Sequence, residues 1–126
     1  MAKYVDGFVF VVPKKNLAAY RKMAREGRDI WMRLGALDYK ECMGDDLTPK
    51  SQGGWKNRSF KEMAKAKGSD TVWFSFIVYK SRKHRDQVNK KMNEEMAKLA
   101  DKYKDFKMPF DMKKMAYGGF TVEVDK

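Results

Sequence analysis

The chain has 126 residues and a single cysteine, and its 28 Lys and Arg residues outnumber its 17 Asp and Glu residues, for a formal net charge of +11. This length predicts one domain, residues 1–126, whose core needs no disulfide. No apolar run is long enough to cross a bilayer and no signal-peptide pattern is seen, which predicts a cytoplasmic protein without a membrane partner. The basic charge makes nucleic acids and acidic small molecules the partners to consider.

The apolar periodicity of the first third of the chain predicts a strand, a helix and a second strand. Residues 3–12 alternate as a strand that stops at Pro13, and residues 14–34 place apolar side chains at helical spacing on one face. Gly35 is expected to end that helix, because glycine tolerates the left-handed conformation found after helix termini. Residues 36–43 alternate again and predict the second strand.

A polar loop with a short helical turn in residues 59–67 is followed by a strand, a helix and a last strand. Residues 71–79 are rich in aromatic and β-branched side chains, which favour a strand. Ser81 is expected to cap a helix whose apolar stripe extends to Tyr103, and residues 115–124 predict the last strand. The β-α-β-β-α-β order indicates an α+β, ferredoxin-like fold with a four-stranded antiparallel sheet.

Both faces of this sheet are predicted to be apolar. With both helices on one face, the other face should be polar if it meets water, because successive side chains alternate between faces. The first strand instead alternates Val5, Val9 and Val11 with Tyr4, Phe8, Phe10 and Val12, and the third alternates Trp73, Ile77 and Tyr79 with Val72, Phe74, Phe76 and Val78. Such a face must be covered, and we expect a homodimer that forms through it.

The third strand partly matches the RNA recognition motif. Domains of that kind share the β-α-β-β-α-β order and stack bases on aromatic residues of the first and third strands. Phe74, Phe76 and Tyr79 match the aromatic positions of the signature, whereas Val72 and Trp73 stand where a basic residue and a glycine are required. Nucleic-acid binding is therefore expected to be weak and unspecific, through Lys and Arg residues spread over the helices and a loop.

The chain resembles the YbaA-like family of small uncharacterised proteins in four segments, YVDGFVFVVPKKNLAAYRKMA, GALDYKEC, VWFSFIVYKSRKHRDQVNKKM and MPFDMKKMAYGGF, in the same order and at similar spacing. The resemblance implies a ferredoxin-like subunit of a dimeric α+β barrel, in which two sheets pack face to face. Analogy with other proteins of that fold implies a small-molecule pocket between sheet and helices.

The adjacent Gly118 and Gly119 are either a phosphate-binding turn or a structural feature of the last strand. A phosphate-binding glycine loop leads into a helix N-terminus, but no helix is predicted after Gly119. The pair therefore predicts a bend or bulge that also lets a large neighbouring side chain approach the backbone.

Polar residues on the predicted strands are the candidates for chemistry. Asp6 and Glu41 are the candidate catalytic carboxylates, because a carboxylate in an apolar cavity has a raised pKa and can transfer protons near neutral pH. The alternative for Asp6 is a structural hydrogen bond beside Gly7, and the alternative for Glu41 is an exposed position on an edge strand. The predicted ligand pocket is lined by Trp73, Phe74, Ser75, Phe76, Tyr117 and Phe120.

Neither a metal site nor a cofactor is expected. The chain has one histidine, His84, and one cysteine, Cys42, which together are too few for a structural zinc site. Cys42 could act as a nucleophile only beside a base, and a small buried thiol is the favoured interpretation.

The charged start of the second long helix contains two arginines that are candidate contacts for an anion or for RNA. Arg82 and Arg85 offer the paired donors that bind phosphate or carboxylate. Their helical spacing to Asp86 and Asn89 favours a polar ladder within the helix instead.

Two function hypotheses follow from these features. The first is a homodimeric protein that binds a small molecule. This hypothesis includes the case of an enzyme that needs no metal or organic cofactor. The alternative is an RNA-associated protein that binds through its basic surface. The two hypotheses differ in what covers the aromatic sheet face.

Overall fold

The computed structural model describes residues 1–48 and 53–126, which form one four-stranded sheet with two long helices on one face. The helices and strands are β1 Tyr4–Pro13, α1 Leu17–Arg33, β2 Asp38–Met43, α2 Phe60–Met63, β3 Asp70–Tyr79, α3 Arg82–Lys98 and β4 Ala116–Thr121. The sheet is antiparallel in the order β2-β3-β1-β4, which confirms the predicted α+β class and four-stranded antiparallel sheet. Within the described ranges, no helix is both long and apolar enough to cross a bilayer.

The main core lies between the sheet and the two long helices. Strand alternation turns every second side chain of β1 and β3 toward this layer, where large side chains each contribute about 1.5–3 kcal/mol when fully buried. One half of the core packs the α1 residues Tyr20 and Ala24 against Phe10, Val12, Trp73 and Phe110. The other half packs Val88 of α3 against Tyr4, Ala36, Ile77 and Tyr79.

The structure confirms two predicted helix boundaries, the end of α1 and the start of α3. Gly35 has a φ of +119°, the left-handed region that favours glycine, directly after α1. The Ser81 hydroxyl accepts a hydrogen bond from the backbone N–H of His84 over 3.1 Å and caps α3.

The predicted helix α3 and strand β4 extend further along the chain than the observed elements. The helix α3 ends at Lys98, so Tyr103 lies beyond it; Val88 and Met92 of α3 are buried, whereas the later stripe residues are only partly buried. The strand β4 ends at Thr121 instead of residue 124, because its neighbour β1 begins at Tyr4, directly opposite Thr121.

The connection between β2 and β3 covers one end of the second sheet face. Leu47, Ala64 and Ala66 of this connection pack on Val11 and Val72. The uncovered part, the open face, consists of Val5, Val9, Phe74, Phe76, Ala116, Gly118 and Phe120. A groove of about 540 Å³ runs along it, and the side chains of Phe74 and Phe120 are 46% and 61% exposed. The prediction that both sheet faces are apolar is confirmed.

The glycine pair lies in a regular part of β4. Gly118 and Gly119 pair one-to-one with Gly7 and Asp6 of β1, so the predicted bend or bulge is wrong. The predicted close neighbour is present, because a methyl group at position 119 would lie 2.7 Å from Cε2 of Tyr4. A phosphate-binding role is not supported, since the chain continues as a strand to Thr121.

The close approach of Tyr4 leads to a matched pair of substitutions. Gly119→Ala is expected to lower the free energy of unfolding by about 1–3 kcal/mol, because the buried Tyr4 ring must move. Gly118→Ala is the control, since its methyl group would lie at an ordinary 3.8 Å from Phe120 Cε1. Thermal or urea unfolding measures both. Equal stability of the two variants would contradict the tight packing of Tyr4 on Gly119.

Candidate functional site

A group of four hydroxyl and carboxyl side chains lies between the sheet and α1. Glu41 of β2 pairs with Ser75 of β3 across the sheet, and strand alternation turns both side chains toward the helix layer. Tyr39 precedes Glu41 by two residues and therefore lies on the same face, while α1 brings Tyr20 over the same strands. These four residues are named the Glu41 cluster below.

The Glu41 carboxylate accepts three hydroxyl hydrogen bonds. Tyr20 donates to Oε1 over 2.7 Å, Tyr39 donates to Oε2 over 2.6 Å, and Ser75 also donates to Oε1. The residue is half-buried, so the alternative of an exposed edge-strand position is wrong. Since a carboxylate offers about four acceptor positions, one position on Oε2 stays available to a further donor.

The two tyrosines of the cluster are held in their protonated form. Burial raises the pKa of Tyr20 far above its ordinary value of 10.0, and the charge of Glu41 raises it further. Burial and then the same charge raise the pKa of Tyr39. A phenolate beside a carboxylate would place two negative charges together in a poorly solvated position. Both hydroxyls are therefore hydrogen-bond donors at neutral pH.

An apolar cavity of about 220 Å³ adjoins the Glu41 cluster, and all four cluster residues line it. The remaining wall is largely apolar and includes Met23, Met108, Met112, Met115, Phe8 and Trp31. Methionine side chains adapt to irregular shapes, whereas the cluster supplies a fixed polar group. A mostly apolar cavity with a few placed polar groups is typical of small-molecule sites, and this volume lies below the roughly 300 Å³ at which sites for drug-sized ligands begin.

A second depression, the basic cleft, meets this cavity at Glu41. It has a volume of about 350 Å³, and Tyr39, Lys40 and Glu41 line both spaces. Its other residues are Arg21, Ala24, Arg25, Arg28 and Trp73. Glu41 is thus positioned between an apolar cavity on one side and a positively charged cleft on the other.

The sheet separates the side chains that were predicted to line one pocket. Ser75 lines the cavity and Trp73 lines the basic cleft, both on the helix side. Tyr117 stacks on Phe8, with ring centroids 4.9 Å apart. Tyr117 also borders the groove of the open face, together with the other three predicted residues: Phe74, Phe76 and Phe120. The structure does not bring the six residues into one pocket, because adjacent strand residues point to opposite faces; their roles in ligand binding stay predictions.

The other candidate carboxylate, Asp6, lies in a separate buried ion pair. Nη1 of Arg85 donates to Oδ1 of Asp6 over 2.8 Å, and the two side chains are 13% and 3% exposed. Burial raises the pKa of Asp6, while the Arg85 charge opposes this effect. Burial and then the Asp6 charge raise the pKa of nearby Tyr79. Asp6 lines neither the cavity nor the basic cleft, and its observed partner is Arg85 of α3; its catalytic role stays a prediction.

The environment of Asp6 also changes the interpretation of the α3 arginines. The predicted ladder between Arg85 and Asn89 is wrong, because Arg85 faces the sheet and hydrogen-bonds Asp6 and its neighbour Asp86. Arg82 is exposed at the start of α3. Its contact with an anion or RNA stays a prediction.

The prediction that Cys42 is a buried thiol is also wrong. Cys42 is exposed, because it lies opposite Phe74 and points away from the helix layer.

In residues 1–48 and 53–126, no three side chains of the His, Cys, Asp and Glu types come together as metal ligands would.

The sequence contained a signal for the two residues that were not predicted as part of the site. Tyr39 alternates with Glu41 in β2, and Tyr20 lies on the apolar stripe of α1. A phenol on the buried face of an element needs a hydrogen-bond partner, and a carboxylate on the same strand face is the natural acceptor.

Comparison with known proteins places the chain among sequences of similar length. A family model described as "Protein of unknown function (DUF1428)" matches residues 3–112. "Uncharacterized protein YbaA" of Escherichia coli strain K12 and that of Shigella flexneri are each 39% identical to the chain over 127 residues, with 98% of this chain and 99% of theirs covered. A crystal structure of a Bacillus cereus protein related to NIF3 matches with a TM-score of 0.37 and 13% identity over 98% of this chain and 27% of that one, a likeness too low to carry any argument.

Proposed function

Since the chain belongs to the DUF1428 family and is YbaA-like over nearly its whole length, as its sequence predicts, we propose that it is a homodimer that binds a small molecule beside Glu41. One observation carries the proposal: a carboxylate held by three hydroxyl donors forms part of the wall of a largely apolar cavity. Polar groups in poorly solvated positions cost free energy unless they are paired. A ligand that completes the hydrogen bonding of Glu41 therefore binds with a geometry that the cluster has already set.

The chemistry of the cavity defines the ligand. The open acceptor position on Oε2 of Glu41 selects a ligand with an O–H or N–H donor. The methionine and aromatic walls select a compact apolar body attached to that donor. A site that hydrogen-bonds a ligand hydroxyl discriminates strongly against an analogue that lacks it, because the polar group of the site is then left unpaired.

Phenol and toluene test this proposal, because they share an apolar ring and differ in the donor. In titrations of the isotope-labelled protein followed by NMR, phenol is expected to shift the signals of Tyr39 and Ser75 and to bind at least about tenfold more tightly than toluene. Glu41→Gln is expected to reduce phenol affinity about tenfold and to leave toluene affinity unchanged, because the amide offers a weaker acceptor.

The matched control is Glu94→Gln, at an exposed position of α3, which should bind phenol as the natural chain does. Equal binding of phenol and toluene, or phenol shifts that map to the open face, would contradict the proposal. A catalytic role of Glu41 stays a prediction. Its test is to compare the turnover of any ligand that binds between the natural chain and the same two variants.

The open face supports the homodimer. Its strand positions are apolar, and two phenylalanines on it are about half exposed or more. A second copy of the chain presents the same apolar surface, and a twofold axis makes such a surface self-complementary. Two sheets packed in this way form the dimeric α+β barrel with ferredoxin-like subunits, the assembly that we propose.

The RNA alternative would place bases on the same face. The charge distribution favours a second copy instead, because Lys40 of β2 already forms an ion pair with Asp38 over 2.6 Å on this side of the sheet. Phosphate groups need several unpaired basic residues close to the stacked bases. Weak, salt-sensitive binding of RNA elsewhere on the basic surface stays a prediction.

A further inference from the structure

The basic cleft is built by the regular spacing of α1. Arg21, Arg25 and Arg28 follow one another at intervals of four and three residues, which places them on one stripe of the helix. The stripe borders the cleft from the helix side, and Tyr39 and Glu41 of β2 border it from the sheet side. Three cationic side chains thus border a space of about 350 Å³.

The cleft lacks enough negative charge to balance these cations. Arg28 pairs with Asp29 over 2.9 Å, whereas Arg21 and Arg25 have no ion-pair partner among the described residues. Among the residues that the structure describes, the one acidic residue that lines the cleft is Glu41, whose carboxylate is occupied by hydroxyl donors. An anion in the cleft would reduce the repulsion among the arginines that line it.

From this arrangement we infer that the ligand is a small organic anion, a carboxylate or a phosphate monoester, whose charged group lies in the basic cleft and whose apolar body enters the cavity past Glu41. The inference rests on the proposed function, since it extends the same ligand into the neighbouring space. Guanidinium groups are suited to both anions because they offer paired donors. Tyr39 and Trp73 provide the aromatic part of the cleft wall, along which such a ligand passes.

The test compares ligands that differ in charge alone. Mandelate, whose hydroxyl and carboxylate leave the ring from the same carbon, is expected to bind at least about tenfold more tightly than the neutral mandelamide at low salt, and added salt should reduce the difference because the arginines are exposed. 2-Hydroxy-2-phenylethyl phosphate measured against the neutral 1-phenylethane-1,2-diol, which keeps the same hydroxyl donor, tests the phosphate form of the anion. Tighter binding of the carboxylate alone, or of the phosphate alone, identifies which of the two anions the cleft takes.

Arginine variants connect the preference to the cleft. Arg21→Gln and Arg25→Gln are each expected to reduce the affinity for the anion about tenfold and to leave phenol binding unchanged, because phenol contacts only the cavity. Lys91→Gln, an exposed cationic position on α3, is the control and should bind both ligands as the natural chain does.

The outcomes separate this inference from the proposed function. If phenol binds beside Glu41 but the charged ligands bind no more tightly than the neutral ones, the inference of an anion is overturned and the proposed function stands. An anion preference that survives both Arg21→Gln and Arg25→Gln also overturns it. If phenol itself does not bind beside Glu41, the proposed function and the inference that rests on it both fail.

Discussion

Arg85→Leu is expected to lower the free energy of unfolding by about 3–5 kcal/mol at pH 7, because it leaves the buried Asp6 carboxylate without its counter-charge. Asp6 is 2% exposed, and Arg85 reaches it from α3 across the helix–sheet boundary. Its guanidinium also lies 4.9 Å from the centre of the Tyr4 ring, so the substitution removes a further contact. Urea unfolding of the variant measures the effect.

Two further variants show that the loss comes from the unpaired carboxylate. Arg82→Leu, on the same helix but exposed, should unfold close to the natural chain. The double variant Arg85→Leu with Asp6→Asn should recover much of the lost stability, because no charge is then buried alone. If the single Arg85 variant were as stable as the Arg82 variant, the ion pair would not be structural.

The Arg85 variant should also have a distinctive pH dependence. The pKa of Asp6 is already raised above its ordinary value of 3.8 by burial, with Arg85 acting in the opposite direction. Without Arg85 the pKa must rise further, so the folded state binds the Asp6 proton more readily than the unfolded state does. The variant is therefore expected to lose stability as pH rises from about 3.8. Lowering the pH should narrow its difference from the natural chain.

Phe74→Lys is expected to convert the proposed homodimer into a monomer of 14.8 kDa. Phe74 is at the middle of the open face, and a twofold axis places the new charge in the interface twice. If each substitution costs about 2 kcal/mol, the dissociation constant of the dimer rises about 1,000-fold. Light scattering or analytical ultracentrifugation over a range of micromolar concentrations measures the mass.

The control for this experiment is Phe106→Lys, which changes an equally exposed phenylalanine, 51% exposed, beyond the end of α3. This variant should keep the dimer, and both variants should keep their folded far-ultraviolet spectra. A natural chain that is already monomeric at micromolar concentration, or a Phe74 variant that stays dimeric, would remove the basis for the sheet-face assembly.

Local periodicity was sufficient to predict the elements and the faces of the sheet. The alternation in residues 71–79 correctly separated Phe74 and Phe76 from Trp73 and Ile77, because the side-chain period of a strand depends only on neighbouring residues. Gly35 and Ser81 were recognised as helix boundaries for a similar reason, since the conformations they stabilise are local. Tyr103 and residues 122–124 were assigned wrongly because the ends of those elements depend on whether a packing partner is present.

The partners of the polar groups were decided by the packing of helices on the sheet. Glu41 and Ser75 were both singled out from their strands, yet their contact joins residues 34 positions apart, and Tyr20 reaches Glu41 across 21 positions. Asp6 was singled out from its strand alone, whereas its partner Arg85 is supplied by α3 from 79 positions away. Residue type and spacing along the chain identify which side chains are buried and polar. Which of them meet depends on where α1 and α3 cross the strands, and that follows from the packing of the whole core.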